Sequence, residues 1–111
     1  GGLAWVPFLM QRLDNEYMMR PSECPLLKRL PSEYIAEQYF SSQPLELVRN
    51  QKMLEATFDY MHAETQLMFA TDYPHWDFDD PAQALPMKMT EEQRQALFRG
   101  NAEAVFAHCL T

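Results

Sequence analysis

The sequence has only three glycines, Gly1, Gly2 and Gly100. A phosphate-cradling loop needs clustered glycines so that backbone amides can close on the phosphate, and that class of site is excluded. Cys24 and Cys109 are the only cysteines. They are too few and too far apart for a disulfide framework or a Cys-x-x-Cys zinc knuckle, and read as two reduced thiols. Basic residues are outnumbered, nine Lys and Arg against sixteen Asp and Glu, for a formal charge of −7. Such a balance argues against a phosphate-neutralising nucleic-acid surface. No apolar run approaches the roughly 18 residues that cross a bilayer. The opening Gly1–Phe8 also lacks the basic stretch of a secretory signal. Composition therefore predicts a soluble, cytoplasmic protein with no nucleic-acid or membrane partner.

What is present is globular. A chain of 111 residues, 47% hydrophobic and 23% charged, suits one ordinary domain rather than a disordered tail. Eight methionines fit gap-filling in a core or interface. Leu3–Met19 carries Trp5, Phe8, Leu9, Leu13 and Tyr17 at helical spacing, which predicts an amphipathic helix with that stripe in the core. Pro21, Pro25 and Pro31 make residues 20–31 irregular, with a small basic spot at Lys28 and Arg29. Ser32 is placed to cap a short helix over 33–38. The aromatic stretch 37–42 reads as a strand. Leu47, Gln51, Leu54, Phe58 and Met61 then step by three and four, predicting a helix over 45–61. The short apolar run within 66–71 suits a strand buried on both faces.

Residues 72–89 are a loop rich in Asp and Pro. Thr90 and Gln93 form a capping box, in which each satisfies the other's amide, and a helix over 91–109 follows. It should bury Phe98, Ala102, Val105 and Cys109, with Leu97 and Phe106 beside them and Gly100 marking close packing or a kink. The alternation is α/β: about three main helices and two parallel strands. Two parallel strands leave two open edges and make no closed layer, so the chain reads as part of a larger sheet.

The densest polar chemistry is Thr71-Asp72-Tyr73-Pro74-His75-Trp76-Asp77-Phe78-Asp79-Asp80. Asp72 falls just past the second strand, at the end where parallel α/β folds collect ligands and catalytic groups. A carboxylate there can hold a divalent metal or take a proton from metal-bound water, and His75 could be a ligand, a proton carrier or a substrate contact. Turn formation alone also accounts for Asp and Pro in such a loop, and Trp76 and Phe78 could simply pin it to the core. The spacing D-x-x-H-x-D specifies no metal module. His62 and His108, each at a helix end, read as terminal caps favoured by the helix dipole. Ser41 and Ser42 have no sequence-placed His and acid to form a triad.

Several separated motifs, in one order, resemble a known family. They are Ala4-Trp5-Val6-Pro7-Phe8-Leu9-Met10 with Arg12-Leu13-Asp14, Leu27-Lys28-Arg29 with Pro31-Ser32-Glu33-Tyr34-Ile35, Gln43-Pro44, Phe69-Ala70-Thr71-Asp72-Tyr73-Pro74-His75-Trp76-Asp77, and Gly100-Asn101-Ala102. The chain resembles, over nearly its whole length, the amidohydrolase-related metal-dependent hydrolases of the aminocarboxymuconate-semialdehyde decarboxylase type. The resemblance implies a C-terminal fragment of a (β/α)8 TIM-like barrel, with Leu3–Met19 following the sixth strand and Tyr39–Ser42 as the seventh strand. It also implies a divalent metal, usually zinc, and hydrolysis or decarboxylation of a small organic substrate. Carried over, Asp72 resembles the metal-binding, water-activating acid after the eighth strand, and His75 and Trp76 resemble pocket residues.

The family's His-x-His pair and its middle-strand histidines are absent from this sequence. Gly1-Gly2 resembles the cut end of a strand-six loop. The expectation is therefore the last third of a barrel that takes about 250 residues or more, inactive alone and completed by another barrel segment or by self-association. The alternative is a non-catalytic half-barrel that oligomerises or binds a protein through its open strand edges and Met-rich surface.

Overall fold

A computed structural model describes residues 2–46 and 49–109. Helix α1 spans Trp5–Met19, with Pro7 in its first turn where a missing amide costs nothing. No side chain at its own start caps it. Instead the Glu46 carboxylate accepts from the amides of Leu3 and Ala4, each at 2.8 Å. The helix buries Val6 and Met10 together with Leu3, a narrower face than the expected stripe. Trp5 and Phe8 stay 46% and 66% exposed, because the packing partners of α1 lie on the Val6–Met10 side.

A 3₁₀ turn at Pro21–Glu23 leads to α2, Pro31–Ile35. Ser32 is not its cap. Pro31 opens the helix, the Glu33 carboxylate accepts from the Leu30 amide at 2.9 Å, and Asp14 of α1 accepts from the Ser32 amide at 2.8 Å. An acid one helix away thus takes the role expected of the serine.

Strand β1 is Phe40–Ser41, shorter than the expected 37–42 because the turn that ends α2 runs on to Gln38. Helix α3 is Gln51–Tyr60, not 45–61: Asn50 caps it by accepting from the Lys52 amide at 3.1 Å, while Leu45 is tied to Asp79. Leu54 and Met61 are buried and Phe58 half-buried, as the spacing requires, but Gln51 faces solvent. Leu47, the first residue of that stripe, lies outside the described residues. His62 adopts the left-handed region (φ 55°), which separates α3 from α4, Ala63–Gln66. Its side chain caps nothing; the break is a backbone device, at a residue type that tolerates positive φ.

Strand β2, Leu67–Met68, pairs parallel with β1 in the register Phe40 to Leu67 and Ser41 to Met68. Leu67 is fully buried, while Met68, Phe69 and Ala70 are only half-buried, so the run is not covered on both faces. The last helical stretch begins with α5, Glu91–Gln95. Its capping box is formed, with the Gln93 amide on Thr90 Oγ1 at 3.1 Å and the Thr90 amide on Gln93 Oε1 at 2.9 Å. A π turn at Ala96–Gly100 continues into α6, Asn101–Val105, and a 3₁₀ turn at Ala107–Cys109 follows. A Cβ on Gly100 would meet only Gln95 O at 3.6 Å, so close packing does not call for the glycine.

The buried face of this stretch is Leu97 and Asn101; Phe98, Ala102 and Val105 are half-buried, and Cys109 and His108 are exposed. The shift follows from the π turn, which adds a residue and rotates what comes after it. One core joins Leu3, Val6, Met10, Leu45, Leu54, Met61, Ala63, Leu67 and Leu97. No described helix is long and apolar enough to cross a membrane.

The two sides of the sheet end differently. Outside β2, the Leu67 carbonyl accepts from Asn101 Nδ2 at 2.8 Å, and the Phe69 amide donates to Leu97 O at 3.0 Å. The last helix therefore closes that edge. Outside β1, alternation turns the main-chain groups of Ser41 away from β2, and no described residue meets them.

Candidate functional site

Asp72 lies four residues beyond β2, in the left-handed region at φ 58°. Asp accepts that conformation more readily than most residues, and here it begins a turn in which the His75 amide donates to the Asp72 carbonyl at 2.8 Å. The loop is then tied down at three points. The Asp79 amide donates to Thr71 O at 3.0 Å, Gln43 Nε2 donates to Asp77 O at 3.0 Å, and the Leu45 amide donates to Asp79 Oδ2 at 3.1 Å. These bonds hold the segments that follow β1 and β2 against each other, at the C-terminal ends of both strands. The rings of Tyr73 and Phe78 meet edge to face at 5.6 Å within the loop.

Within this frame Asp72, His75 and Asp77 converge, with one ligand atom from each lying within 4.8 Å of the others. His75 Nδ1 and Asp77 Oδ1 are hydrogen-bonded, and Asp72 Oδ2 stands 4.0 Å from His75 Nδ1. The hydrogen bond to Asp77, reinforced by the charges of Asp77 and Asp72, raises the His75 pKa above its ordinary value. The same bond holds the Asp77 carboxyl below its usual range. Asp72 and His75 are more than half exposed, which leaves both open to a partner group.

Trp76 is 87% exposed and beside the His75 ring, 6.1 Å between centroids, so it is not enclosed by the described residues. A groove of about 530 Å³ lies at the other end of β2, lined among others by Asp59, His62, Glu64, Lys88 and Leu97; neither Asp72, His75 nor Trp76 reaches it. Asp77 belongs to the cluster although only Asp72, His75 and Trp76 were expected at the site. Its signal was the final D of D-x-x-H-x-D, which marks no known module by spacing.

A sequence model described as Amidohydrolase matches residues 1–107. The chain belongs to the amidohydrolase family. No curated protein gives a significant match. Amidohydrolases generally bind divalent metals, so the donors can be tested against that need. With ligand bonds near 2.0 Å, two donors on one tetrahedral ion stand about 3.3 Å apart. His75 and Asp77 are instead in direct contact with each other, and a complete centre needs three or four converging ligands. Among the described residues there is no other group of three candidate donors. As folded, the cluster offers one carboxylate outside the His75–Asp77 contact, Asp72, and the described residues of this amidohydrolase chain do not by themselves make a metal centre.

Proposed function

We propose that the chain is the C-terminal third of a (β/α)8 amidohydrolase-like, metal-dependent hydrolase or decarboxylase of the aminocarboxymuconate-semialdehyde decarboxylase type. In this reading Asp72 supplies one ligand to a divalent centre, zinc by preference, whose remaining ligands come from residues outside these 111. The carrying observation is the placement of Asp72: an exposed carboxylate past the C-terminal end of a parallel strand, with its side chain free of hydrogen bonds from the described residues. Its neighbours His75 and Asp77 engage each other, which leaves His75 and the exposed Trp76 to face a small organic substrate. The chain alone is inactive, since one carboxylate cannot hold an ion in a catalytic geometry.

Zinc titration by calorimetry of the full-length parent protein, in which the remaining ligands are present, tests the ligand assignment. Asp72→Ala is expected to weaken zinc binding at least tenfold, whereas equal binding by this variant would refute the role of Asp72. An in-frame His-x-His segment upstream in the parent gene is expected as well, and its absence would remove the catalytic reading. A second reading, a non-catalytic module that associates through its open edge, is favoured by the exposed Trp5 and Phe8 and the unmet Ser41 backbone.

A further inference from the structure

The His75 ring is held through one nitrogen. Both of its carboxylate contacts, to Asp77 Oδ1 and at 4.0 Å to Asp72 Oδ2, are made by Nδ1. An ionised carboxylate only accepts, so the nitrogen bonded to Asp77 must carry the hydrogen. A neutral imidazole has one such hydrogen, and Nε2 is then left with its lone pair. The His75 side chain is 55% exposed, so the ring is open to a substrate.

The group that fixes the ring is itself fixed from another segment. Asp77 is engaged twice, its side chain by His75 and its carbonyl by Gln43 Nε2 at 3.0 Å, from 34 positions away. Gln43 stands on firm backbone. Ser42 before it is fully buried, its amide donating to Met68 O at 3.0 Å and its Oγ accepting from the Ala70 amide at 3.1 Å. Leu45 beyond it is buried too, and its amide donates to Asp79 Oδ2 at 3.1 Å. All these bonds join the segments on the paired side of β1 and β2, and none uses an outer strand edge. A larger sheet therefore leaves them in place.

We propose that Asp77 and Gln43 are positioning residues that decide which nitrogen of His75 the substrate meets. Gln43 holds the Asp77 backbone, Asp77 holds the ring in its Nδ1–H form, and Nε2 is the nitrogen presented. The neutral ring then offers an acceptor to an O–H or N–H group of the substrate, where the opposite tautomer would offer a donor. A carboxylate bonded to one imidazole nitrogen sets both the tautomer and the direction of the ring. Asp72 cannot take over this task as placed, since 4.0 Å is beyond hydrogen-bond distance. The inference rests on the reading of this loop as an amidohydrolase site, but the tautomer is read without metal or substrate. Its failure and the failure of the Asp72 assignment are therefore separate results.

Nitrogen-15 NMR of the full-length parent protein with labelled histidine tests this, at a pH where the ring is neutral. The His75 signals are assigned by their loss in His75→Gln. The unaltered protein should show Nδ1 protonated and Nε2 bare. Asp77→Ala should reverse the two, because an imidazole that nothing holds prefers its proton on Nε2. Gln43→Leu, which removes a donor to the Asp77 carbonyl and leaves the ring's own partner in place, should give a mixture of both forms with an unchanged circular-dichroism spectrum. An unaltered protein whose His75 carries its proton on Nε2 would overturn the proposal with no variant needed. So would an Asp77→Ala protein that keeps the Nδ1–H form, or a Gln43→Leu protein with the parent's spectrum. Zinc affinity supplies the last check: Asp77→Ala should lose less than the tenfold expected of Asp72→Ala. An equal loss would make Asp77 a ligand and overturn the positioning role.

Discussion

Replacing Asn101 asks how firmly one amide holds the last helix to β2. The residue is 8% exposed, and its Nδ2 lies 2.8 Å from Leu67 O, 3.0 Å from Glu64 O and 3.5 Å from Ala63 O. An amide nitrogen has two hydrogens, so the two shorter bonds use its capacity and the third is at best shared. Asn101→Leu keeps the volume and removes both donors. Two lost bonds at about 1 kcal/mol each, with a buried Leu67 carbonyl left unpaired, give a destabilisation of about 2–4 kcal/mol. At a slope of about 1.5 kcal/mol/M in urea, the unfolding midpoint should fall by roughly 1–3 M.

Asn101→Asp is the sharper test, because it turns acceptors toward acceptors. At pH 7 its carboxylate faces the carbonyls of Leu67 and Glu64, and it should be less stable than the Leu variant. Burial beside those oxygens raises the carboxyl's folded-state pKa above its unfolded value. The protonated form can donate one bond, so the stability it recovers is fully present below the unfolded pKa and is lost as pH rises through the folded one. Urea unfolding at pH 4 and pH 7, followed by circular dichroism, reads both effects. A Leu variant within 0.5 kcal/mol of the parent would refute the reasoning, as would Asp and Leu variants that match at pH 7.

Three other perturbations follow from local geometry. Gly100→Ala should stabilise by about 0.5–1 kcal/mol in thermal unfolding, since the helical φ of −59° suits Ala and the new Cβ meets only ordinary contact. Glu46→Ala should cost about 0.5–2 kcal/mol by removing the remote cap of α1, with Glu46→Gln losing less because it keeps an acceptor. Arg29 grips Glu37 with two bonds, 2.5 and 3.1 Å, and these hold the Glu37 carboxyl below its ordinary value. The pair's contribution is then present above the unfolded carboxyl range and lost as pH falls through the folded value. The stability gap between the parent and Glu37→Gln should therefore close in acid and shrink in 1 M salt.

The sequence reveals most where structure is decided by near neighbours. The body of α1, the Leu54–Phe58–Met61 face and the Thr90–Gln93 box all rest on contacts within one or two turns. The helix starts at 31 and 51 were harder to read. Asp14 reaches Ser32 across 18 positions, and Leu45 is held by Asp79 from across the loop. Strand lengths were overestimated because an apolar run shows burial, whereas a ladder extends only as far as a neighbour pairs with it. Glu46 and the amide bonds of Asn101 carry no local signal for the same reason, each acting on groups more than 30 residues away. The candidate site lay within six consecutive residues and was visible as a composition, but the contact of His75 with Asp77 depends on the left-handed turn at Asp72, which no spacing encodes.

The bond from the Phe69 amide to Leu97 has a consequence for motion. In an ordinary sheet that proton would be shielded by a neighbouring strand and would report the opening of the sheet. Here its shield is the carbonyl of a π turn, so its rate of exchange with deuterated solvent times the detachment of the last helix. The Ser42 amide, which donates to Met68 across the parallel pair, keeps separate time for the sheet itself. Two neighbouring protons in one small layer thus act as independent clocks, one for each way the molecule can come apart.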